Sequence, residues 1–274
     1  MNEETLYPWI NPVLLQVGPL AIRWYSLAYI FGFAAAYFLI KFFEKRTFPH
    51  NQIITQKRLD ALLNITVIST LLGGRLGYVL FYNLHYYLQN PSEILQVWHG
   101  GMSFHGAMIA MFFSALIYTK IEKISFLRIT DMFCLTAPIG ICFGRIANFI
   151  NGELWGRVSD CKICIPFLTS GSYQPRHPSQ LYEALFEGFI LFLILFTAAY
   201  KKHALVVKGF ISGLFLFLYG LFRFFIEFFR EPDQQLGLFL NLVSMGQILC
   251  LLMIAGGIFV CICSLFKIKP FHNI

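Results

Sequence analysis

The chain has 274 residues, of which 57% are hydrophobic and only 13% are charged. An ordinary soluble domain carries roughly 25% charged residues, so this composition excludes that class and indicates apolar surface that faces lipid. The formal net charge of +7 resides in short basic clusters between apolar stretches, and this distribution argues against a nucleic-acid-binding protein, which gathers its bases into patches beside stacking aromatic residues.

Seven apolar stretches follow one another along the chain, most of them about as long as the roughly 20 residues that a membrane-crossing helix needs. They cover residues 20–43, 59–82, 102–118, 129–150, 180–200, 209–229 and 240–266. The sequence therefore predicts an all-α, polytopic membrane protein with seven transmembrane helices. It also predicts that residues 1–274 form a single integral membrane domain.

The loops between these stretches alternate in charge. Lysines and arginines occupy the loops after the first, third, fifth and seventh stretches, whereas the loop between 82 and 102 has none. The positive-inside rule places the basic loops in the cytoplasm. We therefore expect the N-terminus outside, the C-terminus in the cytoplasm, and an extracytoplasmic loop over residues 151–179.

Arg75, Arg145, Arg223 and Glu227 fall inside or at the ends of the apolar stretches. A charged residue near the bilayer centre costs about 2.5–3.5 kcal/mol on insertion scales, so such residues face the bundle interior or water. Arg223 and Glu227 could pair at i, i+4 for structural reasons, and Arg75 could anchor a helix as readily as contact a ligand. Because buried acids look too few for three arginines, we expect a bound anion, and a phospholipid phosphate suits the guanidinium fork.

Two polar segments lie near the predicted outer boundary of the membrane. Residues 99–106 surround His105 with glycines, and this histidine is either a satisfied core residue or a group that exchanges a proton with a substrate. Residues 144–157 place Arg145, Asn148 and Asn151 at i, i+3 spacing and continue to Glu153. Such a polar stripe on a helix that leaves the membrane predicts a functional site.

Two further segments carry structural interpretations. Pro178 and Ser179 precede an apolar run and predict a helix start, with Glu183 supporting the cap. Cys161 and Cys164 stand in the predicted outer loop, where they could form a disulfide or bind a metal. Two cysteines alone make a weak zinc site, so an optional local feature is the favoured interpretation.

Several motifs together resemble the prolipoprotein diacylglyceryl transferases, in the same order and across nearly the whole chain. They are Ile-Arg-Trp-Tyr-Ser at 22–26, Gly-Gly-Arg-Leu-Gly-Tyr at 73–78, His-Gly-Gly-Met-Ser-Phe-His-Gly at 99–106, the stretch 144–156, His-Pro-Ser-Gln-Leu-Tyr-Glu at 177–183, the stretch 219–230, and Ser-Met-Gly-Gln at 244–247. Ala147, where the family often has glycine, is a mild departure, and the Cys161–Cys164 pair is not part of the family pattern.

The resemblance implies an enzyme of the bacterial inner membrane that needs no cofactor or metal. Its substrates would be phosphatidylglycerol and the lipobox cysteine of a preprolipoprotein, with membrane lipids around it and no nucleic acid. The diacylglyceryl group would pass to the cysteine thiol, forming a thioether and releasing glycerol phosphate. The functional positions implied are Tyr25, His105, Arg145, Asn148, Glu153, Gly156, Tyr219, Arg223 and Glu227.

A role for each of these positions follows as a hypothesis. Arg145 would hold the lipid phosphate, Arg223 would orient the headgroup and leaving group, and Glu227 would fix Arg223. Asn148 and Glu153 would order the glycerol hydroxyls or the loop. His105 is the preferred acceptor of the thiol proton, Tyr25 and Tyr219 would supply hydroxyls, and Gly156 would contact substrate.

Two other classes of function compete with this interpretation. A transporter could bind an anionic substrate with the same arginines, but it would often show inverted repeats, and the chain has no detectable repeat. An intramembrane protease would need a Ser/His or paired-Asp arrangement inside the helices. Asp131 and the boundary residue Asp60 offer little support for the latter.

Overall fold

A computed structural model describes residues 7, 9–18, 20–96, 100–201, 204–231, 238–239 and 243–266. These residues are mostly helical. The long helices are α1 (Trp24–Thr47), α2 (Gln56–Phe81), α4 (Phe104–Glu122), α5 (Phe126–Asn151), α7 (Leu191–Lys201), α8 (Phe210–Ile226) and α9 (Met245–Phe266). Shorter elements are α3 (Leu84–Gln89), α6 (Ser179–Glu183), and three two-stranded antiparallel pairs, β1–β2 (Val13–Val17, Leu20–Arg23), β3–β4 (Ile165–Pro166, Pro175–Arg176) and β5–β6 (Leu238–Phe239, Val243–Ser244).

The helical segment Ser179–Lys201 is continuous but not uniform. Between α6 and α7 it passes through a π-helical stretch, Ala184–Ile190. A π turn carries a residue more than an α turn, and such stretches are frequent at functional sites. Three side chains along this segment are fully buried, those of Glu183, Glu187 and Leu191.

Within the described residues, six helical segments are long and apolar enough to cross a membrane, and α8 is a shorter apolar helix. The six are Trp24–Thr47, Gln56–Phe81, Phe104–Glu122, Phe126–Asn151, Ser179–Lys201 and Met245–Phe266. The predicted all-α, polytopic fold is confirmed, and a helix occurs in each of the seven apolar stretches. The orientation of the helices and the single-domain organisation stay predictions.

Several helix ends differ from those predicted. Residues 20–23 belong to the β1–β2 hairpin, whose turn contains Gly18 in a left-handed conformation, φ +59°. The helix begins only at Trp24, whose indole Nε1 donates a hydrogen bond to the carbonyl of Asn11. At the other end of the chain α9 begins at Met245, and residue 240 lies outside the described residues. Apolar composition alone did not separate an apolar hairpin from the helix that follows it.

The described residues form two compact units. The first contains those between 7 and 43 and between 130 and 266, and the second contains those between 44 and 129. In the first unit, α8 packs closely on α9, because a Cβ added at Gly213 would lie 2.7 Å from Cys261 Sγ. Asp131, fully buried on α5, accepts hydrogen bonds from the backbone N–H groups of Gly209 and Ser212 at the start of α8. A carboxylate at a helix N-terminus satisfies these otherwise unpaired donors.

In the second unit, α2 packs on α4 through small residues, since a Cβ added at Gly73 would lie 2.6 Å from the carbonyl oxygen of Gly106. Arg75, buried on α2, donates to four backbone carbonyls, those of Glu93, Ile94, Gly100 and Gly101. Of the two roles left open for Arg75, these bonds favour the structural anchor. Buried Glu44, near the end of α1, lies 3.5 Å from Arg128.

Candidate active site

Glu183 is the point at which three arginines from different parts of the first unit meet. Its Oε2 atom lies 2.6 Å from Nε of Arg145 on α5, and its Oε1 atom lies 3.1 Å from Nη1 of Arg223 on α8. Arg230, which follows α8, also donates to Oε1. Glu183 is fully buried. A buried carboxylate is stable only when it is paired and hydrogen-bonded, and three guanidinium groups provide that pairing.

Two more buried carboxylates complete this arginine–glutamate cluster, by which we mean Arg145, Arg223, Arg230, Glu183, Glu187 and Glu227. Glu187 lies 3.7 Å from Arg223 Nη1, and Glu227 lies 3.0 Å from Arg223 Nη2 and 3.6 Å from Arg230 Nε. Three acids therefore face three arginines. The argument that buried acids are too few for Arg75, Arg145 and Arg223 was wrong, because Arg145 and Arg223 meet these acids and Arg75 is held by backbone carbonyls. The case for a bound anion must therefore rest on geometry.

Local structure explains how the cluster is assembled. Arg223 and Glu227 occupy one face of α8 at i, i+4. Oε1 of Glu227 accepts a hydrogen bond from the hydroxyl of Ser244, just before α9. Glu183 and Glu187 flank the start of the π-helical stretch, so both carboxylates are held by the same helical segment.

The cluster leaves hydrogen-bonding capacity unused. Within the described part of the chain, only Nε of Arg145 is paired, so its two Nη groups are available to a ligand. The carboxylate oxygens of Glu187 likewise have no hydrogen-bond partner there. The side chains of Arg145 and Arg223 are 22% and 17% exposed, whereas that of Glu183 is fully buried. The arginine side chains are thus more accessible than the Glu183 carboxylate that they surround.

The chain that leaves α5 packs against this cluster. Asn148 and Asn151 both donate to Oε1 of Glu153, at 2.8 and 3.1 Å, and the carbonyl of Glu153 accepts a hydrogen bond from Gln180. These contacts join the polar stripe of α5 to Gln180 near the start of α6, the short helix that ends at Glu183. Asn148 and Glu153 are thus hydrogen-bonded to each other, and their assignment to the glycerol hydroxyls or to the loop stays a prediction.

Gly156 lies at a close backbone crossing. Its N–H donates to the carbonyl of His177 at 2.9 Å, and it forms an isolated β-bridge with Arg230. A Cβ added here would lie 2.7 Å from the His177 oxygen and even closer to the carbonyl oxygen of Phe229. Only glycine fits without displacing backbone, so this position sets the distance between the 151–179 loop and the end of α8.

The other predicted site residues lie on separate elements. Tyr219 precedes Arg223 by one helical turn on α8 and is near enough to interact electrostatically with Glu187 and Arg223. Tyr25 is the second residue of α1 and half-buried, with its ring 5.5 Å from that of Tyr29. His105 is exposed, in the first turn of α4, and belongs to the second unit. The structure brings Tyr219 and the cluster together and describes Tyr25 and His105 only in their own surroundings.

Three cluster members were not predicted as site residues: Glu183, Glu187 and Arg230. Glu183 was interpreted as helix-cap support, but it makes no cap hydrogen bond and is fully buried instead. A usable signal was present, because Glu183 and Glu187 are acids four residues apart in an otherwise apolar span. Acids in that position demand partners by the same reasoning that was applied to the arginines.

Cys161 and Cys164 form a disulfide, one of the two alternatives left open for them. Sγ of Cys161 lies 3.6 Å from Nδ1 of His177, which in turn lies 3.1 Å from the hydroxyl of Tyr182. Burial lowers the pKa of His177, so near pH 7 its ring is a neutral base. With the two sulfurs bonded to each other, the pair offers no thiolates to a metal ion.

Comparison with known proteins assigns this arrangement to a family. A family model described as prolipoprotein diacylglyceryl transferase matches residues 12–263. Similar proteins named phosphatidylglycerol–prolipoprotein diacylglyceryl transferase occur in Desulfotalea psychrophila, at 49% identity over 94% of this chain and 94% of the relative, and in Rickettsia bellii, at 48% identity over 93% and 96%. A relative of the same name from Aliivibrio salmonicida is 48% identical over 92% of this chain and 87% of its own.

Proposed function

This chain belongs to the prolipoprotein diacylglyceryl transferase family, and from that premise we propose that the family's reaction takes place at the arginine–glutamate cluster. The protein is a transferase that moves the diacylglyceryl group of phosphatidylglycerol to prolipoproteins, which is the first step of lipoprotein maturation. The observation that carries the proposed site is Arg145, whose Nε is fixed by buried Glu183 while its Nη groups are available to a ligand.

The phosphate of phosphatidylglycerol binds at these Nη groups. A guanidinium presents two parallel N–H groups that match two phosphate oxygens, and its planar shape preorganises them. The salt bridge to Glu183 fixes the plane of the Arg145 fork before the lipid arrives. The half-buried setting strengthens the contact, because charges interact more strongly where water is scarce.

Arg223 stabilises the leaving group. When the C–O bond between the diacylglyceryl group and the phosphate breaks, negative charge grows on the departing glycerol phosphate. Arg223 is held by Glu183, Glu187 and Glu227 at 3.1, 3.7 and 3.0 Å, and it therefore needs little reorganisation to meet that charge. Preorganised positive charge of this kind is among the largest contributions to catalysis in acyl and phosphoryl chemistry.

The acceptor is the thiol of the lipobox cysteine, which attacks the glyceryl carbon and forms a thioether. A thiol of ordinary pKa near 8.5 is only a few per cent ionised at neutral pH, so a base speeds the attack. His105, exposed in the first turn of α4, is our candidate for this base. Tyr25 and Tyr219 supply hydroxyls, and Gly156 contacts substrate while holding the 151–179 loop against the end of α8.

One experiment tests the activity and the site together. Purified protein in vesicles of the bacterial inner-membrane lipids receives labelled phosphatidylglycerol and a peptide with a lipobox cysteine. We expect label on the peptide with wild-type protein and a loss of about a hundredfold with Arg145→Lys. Label that never reaches the peptide would refute the activity, and an Arg145→Lys variant as active as wild type would refute the site.

A further inference from the structure

The Cys161–Cys164 disulfide lies outside the transferase chemistry described above. Cys164 follows Cys161 by three residues, and its N–H donates to the Cys161 carbonyl at 3.0 Å in a tight turn. Both cysteines are half-buried. The remaining cysteines at 134, 142, 250, 261 and 263 lie in the helices. A disulfide confined to one exposed turn calls for a separate explanation.

This disulfide is poorly placed as a structural brace. The segment that carries it is already held by backbone hydrogen bonds from Ser159 N to the Pro175 oxygen and from His177 N to the Arg157 oxygen, and by the β3–β4 pairing. A cross-link stabilises mainly by closing a loop in the unfolded chain, and a loop this short loses the least entropy. Stability therefore gives little reason for these two cysteines.

His177 supplies what a reactive cysteine needs. Its neutral ring, with Nδ1 3.6 Å from Cys161 Sγ, can take the proton of a Cys161 thiol and then stabilise the thiolate. A stabilised thiolate is both a usable nucleophile near neutral pH and a good leaving group in disulfide exchange. The geometry thus favours cleavage and re-formation of the bond at Cys161.

The pair also lies beside the arginine–glutamate cluster. The His177 ring contacts the rings of Tyr182 and Phe229, with centroids 5.9 and 5.1 Å away. Tyr182 immediately precedes Glu183, and Phe229 immediately precedes Arg230 in the chain. A chain of contacts through His177 and then Tyr182 or Phe229 therefore links the disulfide to residues adjacent in sequence to Glu183 and Arg230.

We propose that Cys161, Cys164 and His177 form a thiol–disulfide exchange centre that frees a blocked acceptor cysteine before its lipidation. This inference rests on the proposed function, since it takes the acceptor peptide as its substrate. An acceptor cysteine that has formed a disulfide with a small thiol carries no free thiol and cannot be lipidated. The blocked peptide is the substrate class, and a dithiol donor is the co-reactant.

The exchange proceeds in two steps that balance. In the dithiol form, the Cys161 thiolate attacks the acceptor sulfur; the blocking thiol leaves and takes the proton held by His177. Cys164 then loses its proton and attacks Cys161 Sγ, and the acceptor leaves as a thiol. Two electrons have passed from the dithiol to the blocked acceptor, and the disulfide seen in the structure has formed. A dithiol donor returns the pair to its reduced form by the same exchange.

The test uses a lipobox peptide whose cysteine is blocked by glutathione. Wild-type protein is reduced with a dithiol, freed of excess reagent, and mixed with the blocked peptide and phosphatidylglycerol vesicles in the presence of a chelator. We expect about one equivalent of glutathione released per protein, followed by lipidation of that peptide. The Cys161→Ser/Cys164→Ser variant should release no glutathione above background, yet lipidate a free-thiol peptide within a few-fold of wild type. The helical cysteines are present in both proteins and so set the background.

The two readouts separate the proposals. Wild-type protein that releases no glutathione, or a double variant that releases as much, overturns the exchange centre, whatever happens to the free peptide. Failure to lipidate the free peptide overturns the proposed function, whereas glutathione release still decides the exchange. His177→Gln removes the base and should slow the release roughly tenfold. An unchanged rate with that variant would overturn the part assigned to His177.

Discussion

Glu183→Gln is the substitution that bears most directly on the cluster. It keeps the shape of the side chain but removes a buried carboxylate that faces three guanidinium groups. Arg223 would keep Glu187 and Glu227, and Arg230 would keep Glu227, but Arg145 would lose its recorded carboxylate partner. Removing one partner of a fully buried ion pair costs about 3–5 kcal/mol, and the cost here should lie at or below the lower end because the Arg145 side chain is 22% exposed.

Activity should fall as well as stability. Without Glu183 the plane of the Arg145 guanidinium is no longer fixed, and losing one preorganised donor costs on the order of a hundredfold in rate. We would measure thermal unfolding in detergent and peptide lipidation per folded protein. The matched control is Glu44→Gln, which removes another buried glutamate that pairs with an arginine, at 3.5 Å, but stands outside the cluster.

The control should lose stability and keep its turnover, whereas Glu183→Gln should lose both. A Glu183→Gln protein that melts and turns over like wild type would refute the account of the cluster. If it melts earlier but each folded molecule lipidates at the normal rate, Glu183 holds the fold together and does not position Arg145.

Three further substitutions or tags test other parts of the account. Arg145→Lys keeps the charge but loses the planar fork, so the rate of lipidation should fall roughly a hundredfold, or about 3 kcal/mol in the activation free energy. Arg145→Ala should be at least as severe, and Arg23→Ala should be milder. Normal turnover by a well-inserted Arg145→Lys would exclude bidentate phosphate binding. Gly156→Ala places a methyl group against backbone, so we expect a loss of about 1–3 kcal/mol in thermal unfolding, and an unchanged melting temperature would contradict the close crossing. A tag between α1 and α2, within the basic segment 41–58, should be cytoplasmic and one at Asn90 external, as measured by membrane-impermeant labelling. A cytoplasmic Asn90 tag would overturn the orientation.

The helices could be predicted from the sequence because a membrane-spanning helix requires a recognisable apolar composition. Lipid offers no hydrogen bonds, so a spanning segment must be long, apolar and helical, and such segments stand out at any reading of the chain. Their ends could not be predicted as well. Residues 20–23 are as apolar as the helix they precede, and the turn that makes them a hairpin depends on the backbone conformation of Gly18.

The candidate site was likewise predicted only in part. Arg145 and Arg223 were predicted because a charge in an apolar span is costly wherever its partner lies. Glu183 was assigned to a helix cap because it stands near a predicted helix start, and that local pattern gave no sign of Arg230, 47 positions away. Pairing across such a distance arises from tertiary packing. Propensity and spacing report only on neighbours within a few residues.

The π-helical stretch Ala184–Ile190 has a consequence for how this chain can change in length. Fully buried side chains lie before, within and after it, at Glu183, Glu187, Leu191 and Leu195. Because a π turn holds one residue more than an α turn, deleting one residue within the stretch would restore ordinary helical bonding and leave the residues beyond it facing nearly as they do now. A deletion in α7 would have no wider turn to absorb it, and it would rotate everything beyond it by about 100°. Loops elsewhere can absorb insertions and deletions, and within this helical segment the π-helical stretch is the place that can lose a residue.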